Sequence, residues 1–216
     1  MPMALPGCDP GDADAPPLRG NTPPGSLAVH GPRDPGRAEV EAFIAGVFAE
    51  RFGAQLDRFA PTLVSLRNGG RLVAAAAWRS AGEGPLFLER YLPQPVEALL
   101  GPAAGRVPSR SRIVEVGSLA ARQPGQGRRL ILLLGPYLAA LGFQWVVGTL
   151  TEELRRLFLR IGVAPLSLGA ADPAALGEES ARWGRYYEHR PVVLAGHLPL
   201  ALRQLQQFQR ATGTAA

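Results

Sequence analysis

The sequence has no lysine, one cysteine and three histidines. All 23 of its basic residues are therefore arginine. A single Cys excludes an internal disulfide framework, and one Cys with three scattered His excludes a structural zinc site. Against 18 acidic residues the formal net charge is +5. No basic run exceeds two residues, which argues against a nucleic-acid-binding arm but is compatible with weak adsorption to anionic membranes. No serine lies in a G-x-S-x-G context, so a serine hydrolase is not expected.

What the chain does have is 26 Gly and 21 Pro among 216 residues, with 46% hydrophobic content. That length holds one domain with a sizeable core. Residues 1–25 are rich in Pro, Gly, Asp and Ala and read as a disordered leader, with Cys8 inside it and 26–216 as a single domain. The leader lacks the basic start and apolar segment of a secretory signal, so a cytoplasmic location is expected. Leu130 to Thr151 carries no charge and is long enough to span a bilayer. Gly142 divides it, however, into a helical run and an aromatic, β-branched one, so a soluble helix and strand are expected and no transmembrane segment.

Periodicity places the elements. Ser26–His30 reads as a short strand. Val40, Phe43, Ile44, Val47 and Phe48 share one face of a helix over Pro35–Ala49. Asn68-Gly69-Gly70 between two extended runs, Thr62–Arg67 and Arg71–Arg79, signals a hairpin. A short helix follows at Pro95–Leu100. Then come a strand, Arg112–Leu119; a Gly-containing turn, Arg122–Gly127; a helix, Arg128–Leu141; and a strand, Phe143–Leu150. Thr151 is placed to cap a helix running to Ile161, Val163–Leu168 reads as a strand, and Asp172-Pro173 opens a helix. Pro191–Ala195 and a helix over Pro199–Gln209 end the chain. The fold class is mixed α/β.

Chemistry concentrates at Arg122-Gln123-Pro124-Gly125-Gln126-Gly127-Arg128. Two glycines permit close backbone approach, and the following helix offers unsatisfied N–H groups and a positive dipole end, which suit a phosphate. The spacing is that of neither a P-loop nor a dinucleotide fingerprint. Arg-x-x-Gly-x-Gly after a strand does resemble the pantetheine-phosphate turn of the GNAT acyltransferases. Pro85–Leu92, Ile113–Ala120, Ala171–Pro173, Trp183–Tyr187 and Pro191–Gly196 resemble the thermostable hemolysin family over about Glu41 to Leu205. More distantly, the chain is similar to acyl-homoserine-lactone synthases.

The resemblance implies a GNAT-like fold: a central mixed, mostly antiparallel sheet with one splayed strand pair, flanked by helices. It implies acyl transfer from acyl-CoA, or from an acyl carrier protein as the alternative donor, to a small amine, with no permanently bound cofactor. Cofactor-binding residues would be Arg122, Gln123, Gly125, Gln126, Gly127 and Arg128. Glu115 would hold or deprotonate the amine, the other reading being an ion pair with a neighbour such as Arg112. Ser118 is the other candidate catalytic residue, at the strand end where the family usually has Asn. Glu89, Tyr91 and Trp145 are candidates to line the substrate pocket. Many GNAT enzymes have a tyrosine acid where this chain has Phe158, leaving water or Tyr137 to protonate the thiol. Trp183, Tyr186 and Tyr187 read as core. The family name also implies a rival, a membrane-lytic protein using the 130–150 run or an amphipathic terminal helix with Leu200, Leu202, Leu205 and Phe208, and Phe158 in place of the tyrosine leaves a third reading, a GNAT fold that binds a thioester or partner without catalysis.

Overall fold

A computed structural model describes residues 27–213. The expected leader lies outside them. A seven-stranded sheet organises the chain: β1 (Leu27–His30), β2 (Thr62–Asn68), β3 (Arg71–Ser80), β4 (Ile113–Ala121), β5 (Trp145–Leu150), β6 (Leu166–Ala170) and β7 (Val192–His197), in the order β1-β2-β3-β4-β5-β7-β6. Every pairing is antiparallel except β4 with β5. The hairpin forms where expected. Gly69 (φ 55°) and Gly70 (φ 78°) take the left-handed conformation the turn requires.

Five α-helices flank the sheet. The first, α1 (Arg37–Phe52), buries the predicted stripe, Val40, Phe43, Ile44, Val47 and Phe48, and ends at left-handed Gly53. Side chains this completely buried contribute roughly 1.5–3 kcal/mol each relative to exposure. Next come α2 (Val96–Ala104), α3 (Gln126–Ala140), α4 (Glu152–Arg160) and α5 (Leu198–Gly213). The uncharged run is thus α3 and β5, parted by Gly142 at φ 90°. No helix among the described residues is long and apolar enough to cross a membrane.

Three clusters form the core. One packs α1 under Tyr186, with Trp183 and Tyr187 against it, as expected for those aromatics. The second packs α3 on β2–β4. The third, on the sheet's other face, joins β4, β5 and β7 to α2 and the 3-10 turn Phe87–Tyr91.

Two local expectations are corrected. Thr151 occupies the N-cap position of α4 but its side chain makes no capping bond. The strand expected at Val163–Leu168 begins later, at Leu166. Val163 instead donates to the Phe158 carbonyl, and Gly162 to Leu159, closing α4, and Pro165 follows. Asp172 does cap the next turn, accepting from the Ala174 N–H at 2.9 Å.

Candidate functional site

The site begins where the sheet opens. Although β4 has nine residues, only Ile113, Val114 and Glu115 pair with β5, opposite Trp145, Val146 and Val147. Beyond them the two parallel strands part, the splay the sequence leads one to expect. Ala75 pairs with Ala120 and Ala77 with Gly117, so Ser118 and Leu119 together stand opposite Ala76. This β-bulge bends β4 and redirects its end. Ser118 sits in the bulge at φ 51°, one of two non-glycine residues in the described chain with positive φ. L-residues other than Asn and Asp adopt that region at a cost, and such strain collects at functional sites. Sequence patterning carried no sign of it.

Between the parted strands and α3, α4 and α5 lies a cavity of about 1100 Å³. Its walls are mainly apolar, from Leu134 and Leu138 of α3, Val146 of β5, Leu157 of α4 and Leu202 and Leu205 of α5. On its rim stand Ser118, Arg122, Gln123, Gly125, Gly127 and Arg128. The turn after β4 ends at Gly125 (φ 81°), and α3 starts there without a side-chain cap. The Gln126 N–H is paired with the Gln123 carbonyl, and that of Arg129 with Gly125. Those of Gly127 and Arg128 meet no acceptor among the described residues. A ligand anion could take both. Gln126 is not on the rim, and its buried side-chain oxygen has no partner.

The arginines differ. Arg122 donates to Glu50 at 2.8 Å and lies over the Phe43 ring, so its charge is already shared. Arg128 and Arg129 are exposed, with no carboxylate in range among the described residues.

The remaining candidates lie on the other sheet face. By strand alternation Glu115 points with Ile113, away from Val114 and Val116. Only 9% exposed, its carboxylate accepts the N–H groups of Phe87 and Leu88, each at 2.9 Å. Its cationic neighbour is Arg79 at 4.0 Å; the alternative pairing with Arg112 does not form, because Arg112 donates to the Gly142 carbonyl. Burial pushes the Glu115 carboxyl above its usual pKa, against the pull of the two N–H groups and Arg79. Two donors leave about half of a carboxylate's acceptor sites open.

Glu89 is bound by Arg110 at 2.7 Å and accepts from Leu86 and Val96. Burial would raise its pKa, but Arg110 and those N–H groups hold it below the usual value. Arg110 also binds Glu97 and the carbonyls of Ala81 and Gly84, tying the 3-10 turn to α2. The Tyr91 and Tyr187 hydroxyls share a hydrogen bond of 2.7 Å. Trp145 is not brought to this group: it is buried in the third cluster with its ring 5.0 Å from that of His197. Tyr137 packs beside the second cluster and does not line the cavity, whereas Phe158 does.

The sequence reading missed the wall made by Phe48, Phe52, Tyr186 and His189. Tyr186, read as core, is both: it is buried, and its hydroxyl donates to the Thr149 carbonyl at 3.3 Å. The apolar face of α1 was visible in sequence, but its partner across 140 residues was not.

Comparison with known proteins bears on the family and the fold. A family model described as thermostable hemolysin matches residues 30–202. No curated protein sequence matches. FeeM, an N-acyl amino acid synthase from uncultured soil microbes, superposes with TM-score 0.59 at 15% identity, over 85% of this chain and 97% of FeeM. TofI in an apo form gives 0.55 at 21%, over 79% and 89%. MesI, a CoA-dependent acyl-homoserine lactone synthase, gives 0.54 at 16%, over 87% and 95%. At these identities the likeness shows a shared fold.

Proposed function

We propose, on the premise that this chain belongs to the thermostable hemolysin family, that it transfers an acyl group from a pantetheine thioester to a small amine. One observation carries this reading: the strand pair β4/β5 opens into a large apolar cavity whose rim is the uncapped N-terminus of α3. The free N–H groups of Gly127 and Arg128, with Arg128 itself, hold the phosphate of acyl-CoA or of a carrier protein's pantetheine. The pantetheine arm lies in the opening between β4 and β5. There the strand edges have lost each other and their N–H groups can polarise the thioester carbonyl. The acyl chain enters the apolar cavity.

The amine approaches from the Glu115 side, where the free lone pairs of the carboxylate orient it and take up its proton. Its nitrogen attacks the carbonyl carbon, the C–S bond breaks, and the thiolate leaves and takes a proton from solvent, to which Glu115 returns the one it accepted. The products are an amide and the free thiol. Glu89 and Tyr91 act by fixing the turn that forms the acceptor side, and Ser118 by shaping the opening. Much of the acceleration is proximity.

Thermal melting with CoA and acyl-CoAs tests this. A ligand at a hundred times its Kd stabilises by about 2.7 kcal/mol. Longer acyl chains should shift the midpoint more than acetyl, and Gly127→Trp should remove the shift. No shift with any CoA ester and none with acyl carrier protein sinks the reading. Leakage of anionic liposomes that persists in Gly127→Trp would favour the lytic alternative.

A further inference from the structure

A second cavity, of about 830 Å³, lies at the opposite ends of β4 and β5, where those strands begin. Its lining includes Arg106 and Arg112, His197, and the side chains of Gln144 and Gln204, and contains no Asp or Glu. Nearby, Arg110 is paired with the carboxylates of Glu89 and Glu97. Arg106 has no such partner among the described residues, and Arg112 is held only by the Gly142 carbonyl. Burial, then the nearby charge of Arg203, holds His197 below its usual pKa.

The cleft is also bordered by exposed apolar side chains. Val107, Leu166 and Leu200 line it and are 63%, 39% and 46% exposed. Cations without counter-charges, gathered with uncovered apolar groups in one concavity, have no structural use for each other. The exposed guanidiniums are hydrated and the uncovered apolar groups are not; one ligand can meet both. The chemistry that does so is an oxyanion joined to a short apolar chain.

We propose that this cleft is a second ligand site, for a small soluble amphiphilic anion, an alkyl carboxylate or alkyl phosphate. Arg106 and Arg112 take the anionic head, and Val107, Leu166 and Leu200 cover the chain. The site stands independently of the acyl-transfer reading. It does border the first cavity, since Val163, Ala195, Gly196 and Ala201 line both. Occupancy here therefore presses on the wall of the other.

The test uses octyl phosphate and octanoate below their micelle concentrations, on the full chain, by isothermal titration and Trp145 fluorescence. Saturable binding by either probe is expected, and which one binds separates phosphate from carboxylate chemistry. Arg106→Gln, which breaks no contact in the structure, should weaken binding about tenfold, as loss of one charge-assisted contact does. Leu200→Ser should weaken it several-fold. The thermal shift with acyl-CoA should be unaffected by Arg106→Gln, so failure of one site leaves the other judged on its own. Binding unchanged in both variants overturns the proposal. So does a linear response reproduced by sodium chloride of equal ionic strength, or binding only to phosphatidylglycerol vesicles and not to the monomeric probes.

Discussion

Gly148 approaches Val116 so closely that a β-carbon at position 148 would stand 2.6 Å from the Val116 carbonyl oxygen. This contact lies one residue past the last β4/β5 pair, at the hinge of the opening. Glycine there lets the strands remain in touch before they diverge. Gly148→Ala should force them apart and destabilise the fold by about 1–3 kcal/mol, as overpacking does. Urea unfolding measures it; a neutral substitution would mean that the hinge is soft.

Ser118 supports a prediction of the opposite sign. At φ 51° a serine is strained, and Asn tolerates that region better. Ser118→Gly and Ser118→Asn should each stabilise the protein by up to about 1 kcal/mol, and Ser118→Val should destabilise it by more. Thermal midpoints of the three variants decide this; stabilisation by Val would exclude the strained conformation.

Glu115→Gln should stop acyl transfer while acyl-CoA binding survives, because Glu115 does not line the donor cavity. It should also cost stability at neutral pH, since an amide offers one acceptor oxygen to two backbone donors. An unpaired buried N–H costs about 1–3 kcal/mol. Single-turnover assays set beside melting curves separate the two effects. If rescued folding at low temperature restored transfer, the carboxylate would be structural alone.

The same residue predicts a pH dependence. Burial raises the Glu115 pKa, so the folded protein holds this proton more tightly than the unfolded chain. Its contribution to stability therefore grows as pH falls from neutrality through the raised value toward that of an ordinary glutamate. Relative to Glu115→Gln, the natural protein should gain stability across that window. Glu89 behaves oppositely: its lowered pKa gives stability that is present above the ordinary range and lost as pH falls through the folded value. Paired urea titrations at several pH values test both slopes.

Glu50 shares the charge of Arg122 at the cavity rim. Both side chains are largely exposed, so the pair is worth at most about 1 kcal/mol. Glu50→Gln should free the guanidinium and tighten CoA binding up to about fivefold, with little change in melting temperature. Weaker binding in that variant would show that Glu50 positions Arg122 for the phosphate.

Whatever depends on neighbours a few residues apart was readable along the chain. Helical spacing fixed α1, positive-φ residues fixed the hairpin at Gly69-Gly70, and Gly142 cut an apparent membrane span into a helix and a strand. The strand, Gly turn and uncapped helix from Ile113 to Ala140 were legible for the same reason, and the long ordered matches along the chain carried the family. Only the tertiary structure decided which groups meet. Glu115 reaches back 28 residues to Phe87, Arg122 reaches 72 to Glu50, and Trp145 turns into the core, away from the site. The bulge at Ser118 arises from a register set by β3, and the second cleft from loops, strands and a helix that are distant in sequence. Strand alternation tells which residues share a face, but not what packs against that face, because packing is settled by the whole chain at once.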